Sequence, residues 1–168
     1  MPPDFEEFVV SRGRALIRFA YLLVDDAYLA EDLVQEALVR VHRRWSHIEH
    51  SSNPEPYVRT TIVRLALNWR RRRSSRELAL PHLPDRPDPR QPVDEVVERD
   101  AVWPMLSALP VMQRAVLVLR YYEDLPDAEI AAILGCSPAT VRVHAFKALN
   151  RLRARLPEAL IDVERSNG

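Results

Sequence analysis

A chain of 168 residues, 47% apolar and 29% charged, has the composition of one large packed domain or two small ones. Its three glycines, Gly13, Gly135 and Gly168, are scattered, which argues against a Gly-rich phosphate loop, and its single cysteine, Cys136, excludes an internal disulfide or a cysteine-based zinc site within the chain. Lysine plus arginine and aspartate plus glutamate number 24 each, so the net charge is zero and the information lies in where the charges sit.

The opening Met1-Pro2-Pro3-Asp4-Phe5-Glu6-Glu7 is acidic and lacks an apolar h-region, so no signal peptide is expected. No apolar run approaches the ~18 residues of a membrane span, and a soluble cytoplasmic protein with no membrane contact is expected. Phe5, Phe8, Val9, Leu16, Phe19, Ala20 and Leu23 recur at helical spacing and predict a first helix, with an interruption near Gly13. Asp25 and Asp26 then supply a cap and first-turn acids. Leu33, Val34, Ala37, Leu38, Val41 and Trp45 follow at spacings of three and four, which predicts an amphipathic helix over about 27–47. Asp32, Gln35, Glu36 and Arg40 share the opposite, polar face of that helix. Residues 51–56, Ser-Ser-Asn-Pro-Glu-Pro, read as a loop.

A third helix is predicted over about 56–73 from Val58, Ile62, Leu65, Ala66 and Trp69, with Trp69 in the core. From Pro56 to Arg76 there is no acid, yet Arg59, Arg64, Arg70, Arg71, Arg72, Arg73 and Arg76 are present. The helix macrodipole accounts for part of that run. Four consecutive arginines nevertheless point all round a helix, so at least two face solvent or a ligand. The stretch Pro81–Pro92 holds five prolines in twelve residues and forms neither helix nor central strand. It reads as a semi-extended linker. The expected organisation is therefore an N-terminal domain over 1–76, a linker over 77–93, a C-terminal domain over 94–160 and a disordered tail over 161–168.

The second half reads as four helices: about Val93 to Leu109, with Pro104 awkward near its middle, then Val111 to Tyr122, Asp127 to Leu134, and Ser137 to about Leu156. Gly135 follows the third of these, where a helix C-terminus takes positive φ. Ser137 is a good N-cap, and Pro138 suits the first helical position. The last helix is expected to bury Val141, Ala145, Ala148, Leu149 and Leu152. A short helix, a turn with glycine and a second helix make a helix-turn-helix, whose second helix enters the major groove of DNA with its N-terminal half. An ordinary αα-hairpin is the alternative. From Ile130 to Pro157 there is again no acid, while Arg142, Lys147, Arg151, Arg153 and Arg155 are present. Two basic segments in an otherwise acidic chain are the footprint of a nucleic-acid binder with two contact points. Arg142 and Lys147 suit guanine or phosphate, and Val143 and Phe146 suit thymine methyls. No enzyme, cofactor or metal is expected. No Ser/His/Asp motif is visible, and His42 and His47 fall about 140° apart on a helix, so they form no i,i+4 metal pair.

The motifs now carry a resemblance. Asp26-Ala27-Tyr28-Leu29-Ala30-Glu31-Asp32-Leu33-Val34-Gln35-Glu36 resembles the signature of region 2 of bacterial RNA polymerase sigma factors. The segment from Leu109 through Arg120-Tyr121-Tyr122-Glu123-Asp124-Leu125 and Ile130-Ala131-Ala132-Ile133-Leu134-Gly135 to Arg142 resembles region 4. The two in this order, over nearly the whole chain, resemble the extracytoplasmic-function subfamily of the sigma-70 factors, of an actinobacterial type. The resemblance implies an all-α fold of two small helical domains, a region 2 bundle and a region 4 helix-turn-helix domain, joined by a Pro-rich linker. It implies a factor that directs promoter-specific transcription initiation, recognises −35 and −10 elements and aids promoter melting.

Its implied partners are core RNA polymerase, through the β′ clamp helices and the β flap, and promoter DNA, with an anti-sigma factor as a further expectation. Core-binding positions fall on Asp32, Gln35, Glu36 and Arg40, with His42 nearby. Positions for −10 reading fall on Ser51, Ser52 and Asn53, in a loop where the family flips a base out of the duplex, and Arg59, Arg64, Asn68 and Arg71 would hold the upstream backbone. Positions for −35 reading fall on Thr140, Arg142, Val143, Phe146, Lys147 and Arg151. The chain departs from the family pattern in three places. Tyr57 is the only early aromatic after the loop, Val143 and His144 stand where a small polar and a basic residue are usual, and Pro126 occupies an N-cap position. A self-sufficient helix-turn-helix repressor or activator, dimeric on a palindrome, is the rival reading; it leaves the polar face of the 27–47 helix without a role.

Overall fold

The protein is described by a computed structural model over residues 4–48, 53–79 and 103–155. Among the described residues every element is helical, and the chain separates into two compact units, Met1–Trp103 and Pro104–Gly168. Ser51 and Ser52, the Pro-rich stretch and the predicted tail lie outside the described residues. None of the described helices is long and apolar enough to cross a membrane.

In the first unit, α1 spans Phe5–Val24 and is capped by Asp4, whose Oδ1 accepts from the Glu7 N–H at 2.8 Å. The predicted break near Gly13 does not occur. A glycine inside a helix costs about 1 kcal/mol, which is small beside the burial of Phe8, Leu16, Phe19, Ala20 and Leu23 on either side of it. Asp25 ends α1 in the left-handed region, φ 56°, with its N–H on the Tyr21 carbonyl. Asp26 then caps α2, Ala27–His42, its Oδ1 accepting from the Leu29 N–H at 3.0 Å.

The predicted helix over 27–47 is broken: α2 stops at His42, Arg43 and Arg44 turn, and α3 covers Trp45–Ile48. The reason is tertiary. His42 already lies against Phe5, the first residue of α1, at 4.6 Å between rings. A straight continuation would carry Trp45 past the end of the bundle, whereas the tightened turn, with the Arg44 N–H on the Val41 carbonyl at 2.9 Å, packs it on Phe5 and Phe8.

Helix α4 spans Glu55–Ala79. It starts where the Asn53 side chain accepts from the Glu55 N–H at 3.1 Å and runs three residues into the span read as linker. Its buried residues Val58, Ile62, Val63, Leu65 and Ala66 close the core against α1 and α2. Arg12 meets Glu55 and Arg70 reaches the Val24 carbonyl, so α1 and α4 run parallel with α2 antiparallel to both.

In the second unit, α5 is Trp103–Ser107, with Pro104 in its first turn, where a missing N–H is harmless. Residues 93–102 of the helix predicted there lie outside the described residues. Helix α6, Val111–Leu117, continues directly into a π-helical turn, Val118–Tyr122, closed by the Glu123 N–H on the Val118 carbonyl at 3.1 Å. Helices α7, Asp127–Leu134, and α8, Pro138–Arg155, come next, and α8 packs against both α6 and α7.

Candidate nucleic-acid interface

The junction of α7 and α8 is assembled from local signals. Gly135 stands at φ 70° with its N–H on the Ala131 carbonyl, as a helix C-terminus requires. The Ser137 hydroxyl accepts from the Thr140 N–H at 3.2 Å and shares a 3.0 Å hydrogen bond with the Thr140 hydroxyl, so Ser137 is the N-cap and Pro138 the first residue of α8. Pro126 precedes α7 without a side-chain cap; the α7 first turn instead carries Asp127 and Glu129. Asp127 accepts two hydrogen bonds from Arg120, 3.1 Å from Nε and 2.6 Å from the terminal nitrogen, which ties the π-helical turn to α7. That hydrogen bond is the main reason the Arg120 pKa is raised, so the pair stays charged.

Helix α8 buries Val141, Ala145 and Ala148 and leaves Leu149 and Leu152 half-buried, a narrower core stripe than the one predicted. Arg142, Val143, Phe146, Lys147 and Arg151 are exposed and Thr140 is half-buried. Phe146 is 67% exposed and Val143 50%. Apolar side chains held in water beside cations on one helix match a groove that offers both thymine methyls and guanine acceptors.

In the first unit, Arg64, Asn68 and Arg71 are exposed at intervals of four and three along α4, so the structure brings them to one stripe, with Arg72 beside it. Asn53 is exposed at the end of the loop that precedes α4. Two expectations on α4 are corrected. Arg59 is not on the outer face: it is 8% exposed, its guanidinium lies 4.7 Å over the Phe19 ring, and it donates to Glu55 at 2.6 Å. Trp69 is half-buried rather than core, with the guanidiniums of Arg70 and Arg73 at 5.9 and 5.3 Å from its ring centre.

Glu55 is a group that the sequence patterns did not single out. It accepts from Arg12 at 2.9 and 2.6 Å and from Arg59 at 3.1 and 2.6 Å. Burial alone would raise its pKa; the hydrogen bonds and charges of the two arginines outweigh that and hold the carboxyl below its ordinary value. The acid-free run begins at Pro56, one residue after this neutralising carboxylate. The available signal was the Glu55/Arg59 spacing of four.

On α2, Asp32, Gln35, Glu36 and Arg40 are all exposed and share one face, with a 2.7 Å Glu36–Arg40 ion pair. Val39 is 55% exposed on the same face. Among the described residues no three metal-ligating side chains cluster.

Residues 8–76 match sigma-70 region 2 and residues 99–152 match sigma-70 region 4. The RNA polymerase sigma-E factor of Streptomyces coelicolor is 37% identical over 157 residues, which cover 91% of this chain and 86% of that protein. The chain belongs to the extracytoplasmic-function sigma factors. The ECF RNA polymerase sigma factor SigL of Mycobacterium tuberculosis is 32% identical over 150 residues, covering 85% of this chain and 83% of that one. In fold, the chain resembles the sigma factor RpoE of Bartonella quintana, solved in complex with the anti-sigma factor NepR, with a TM-score of 0.67 and 24% identity over 90% of this chain and 95% of that one. The all-α, two-domain architecture is that of regions 2 and 4. As a sigma factor the protein directs transcription initiation by RNA polymerase at promoter DNA; it is a transcription factor and not an enzyme.

Proposed function

We propose that the two units divide the work of promoter recognition. The α2 face of Asp32, Gln35, Glu36 and Arg40 docks on the clamp helices of the polymerase β′ subunit. The loop ending at Asn53, with Ser51 and Ser52, reads the −10 element, and Arg64, Asn68 and Arg71 of α4 hold the adjacent DNA backbone. The second unit binds the β flap, and Thr140, Arg142, Val143, Phe146, Lys147 and Arg151 of α8 lie in the major groove of the −35 element. The protein works in the cytoplasm, where polymerase and DNA are, and an anti-sigma protein sequesters it, as the structure of the Bartonella relative with NepR suggests by analogy.

The observation that carries this reading is α8: a capped helix whose outward residues are basic and apolar while its small residues are buried. The reading of α2 is tested by a double substitution, Asp32→Ala with Gln35→Ala. Both side chains are exposed, so stability changes by no more than about 0.5 kcal/mol each. Titration against core polymerase is expected to show weaker binding with an unchanged helical circular-dichroism spectrum. Unchanged affinity refutes the α2 assignment. Tight binding of a dimer to a palindrome without polymerase, and no permanganate-reactive thymines near −10 with it, would refute the division of labour as a whole.

A further inference from the structure

One face of α1 holds both ends of the segment that connects α3 to α4. At the near end, Trp45 and Ile48 are buried, and Trp45 packs on Phe5, 5.3 Å between rings and edge-on, and on Phe8 at 5.4 Å. At the far end, Arg12 grips Glu55 with both arms of its fork, Nε to Oε2 at 2.9 Å and a terminal nitrogen to Oε1 at 2.6 Å. The Glu55 N–H is in turn held by the Asn53 side chain at 3.1 Å. Phe5, Phe8 and Arg12 are spaced i, i+3, i+7 and so share a face of α1. Their seven-residue span fixes the two anchor points about 10 Å apart along the helix axis.

We infer that Arg12 is a positioning residue for −10 recognition, acting through Glu55 and Asn53 to set where the connecting segment enters α4. The inference rests on the −10 reading proposed above and adds to it a residue of α1 that touches no DNA. The geometry is over-determined in a telling way. Arg59 alone already neutralises Glu55 from within α4, at 2.6 Å. The second arginine comes from another helix, 43 positions away in the chain. For charge balance it is redundant; its distinct effect is to prevent the Glu55 carboxylate, and the backbone that carries it, from pivoting on α4. Arg12 keeps 42% of its side chain exposed while Glu55 keeps 19%. The fork therefore reaches in from the surface, and its removal leaves no cavity in the core.

Transcription by the reconstituted holoenzyme, from promoter libraries randomised separately at −10 and at −35, tests this. Arg12→Ala is expected to change the relative use of −10 sequences by about threefold, the scale of one partly exposed ion pair, while the −35 profile stays that of the wild type. Glu55→Gln, which keeps the shape and removes the charge, is expected to shift the −10 profile in the same direction. Arg12→Lys, which can reach one oxygen but not both, is expected to lie between. Wild-type −10 preferences in Arg12→Ala, or equal changes at −10 and −35, would overturn the inference and assign Arg12 to stability alone. A wild-type protein with no −10 preference would overturn the underlying −10 reading, and the inference with it.

Discussion

Arg114 is 3% exposed, yet it donates to two backbone acceptors: the Ser107 carbonyl at 3.0 Å and the Leu109 carbonyl at 3.1 Å. These carbonyls sit at the bend between α5 and α6, where the regular helical ladder is interrupted and side chains can take its place. Replacing Arg114 by methionine keeps much of the apolar volume and takes this donor from both carbonyls. We expect a loss of about 2–3 kcal/mol in the second unit, read as a lower urea midpoint by circular dichroism. A midpoint within error of the wild type would mean the bend is satisfied otherwise. Nothing in the sequence set Arg114 apart from the other 22 arginines, because its role depends on a bend that joins two separately predicted helices. Asp25 and Asp26 show the opposite case. Both were legible as helix-boundary residues, but the sequence did not distinguish their jobs; one ends α1 in the left-handed region and the other caps α2.

At the scale of elements, α7 and α8 were legible almost residue by residue, since Gly135, Ser137 and Pro138 each act through their own backbone preference. The break in α2 and the inward turn of Arg59 were not, because Phe5 and Phe19 decide them from another helix. Helix α8 carries a direct consequence. Arg142 lies in its second turn and has the fork needed for a bidentate guanine contact. Arg142→Ala is expected to relax preference at one or two −35 positions, at about 1–3 kcal/mol for the lost contact. Selection from a library randomised at −35 measures it. A fall in activity with the −35 profile intact would remove α8 from that groove.

For the molecule as a whole, zero net charge is the sum of opposed surfaces: exposed Asp32 and Glu36 on α2, exposed Arg64 and Arg71 on α4, exposed Arg142 and Lys147 on α8. Phosphate contacts made by such cations release counterions and make binding salt-dependent. Arg71→Ala is therefore expected to weaken promoter binding on every sequence alike and to lower the slope of log affinity against log salt by about one. Filter binding of the holoenzyme across a salt series checks this, and a sequence-dependent loss would instead make Arg71 a reader of bases. The π-helical turn at Val118–Tyr122 bears on the same architecture through chain length. A π turn holds one residue more than the α-helix it replaces. Shortening the chain by one residue there would let an ordinary helix close and rotate the downstream residues by about 100°. Asp127 would then be carried out of the grip of Arg120. The stretch from Leu117 to Asp127 thus works as a spacer of fixed count, and a shorter relative would need a different latch to present its recognition helix.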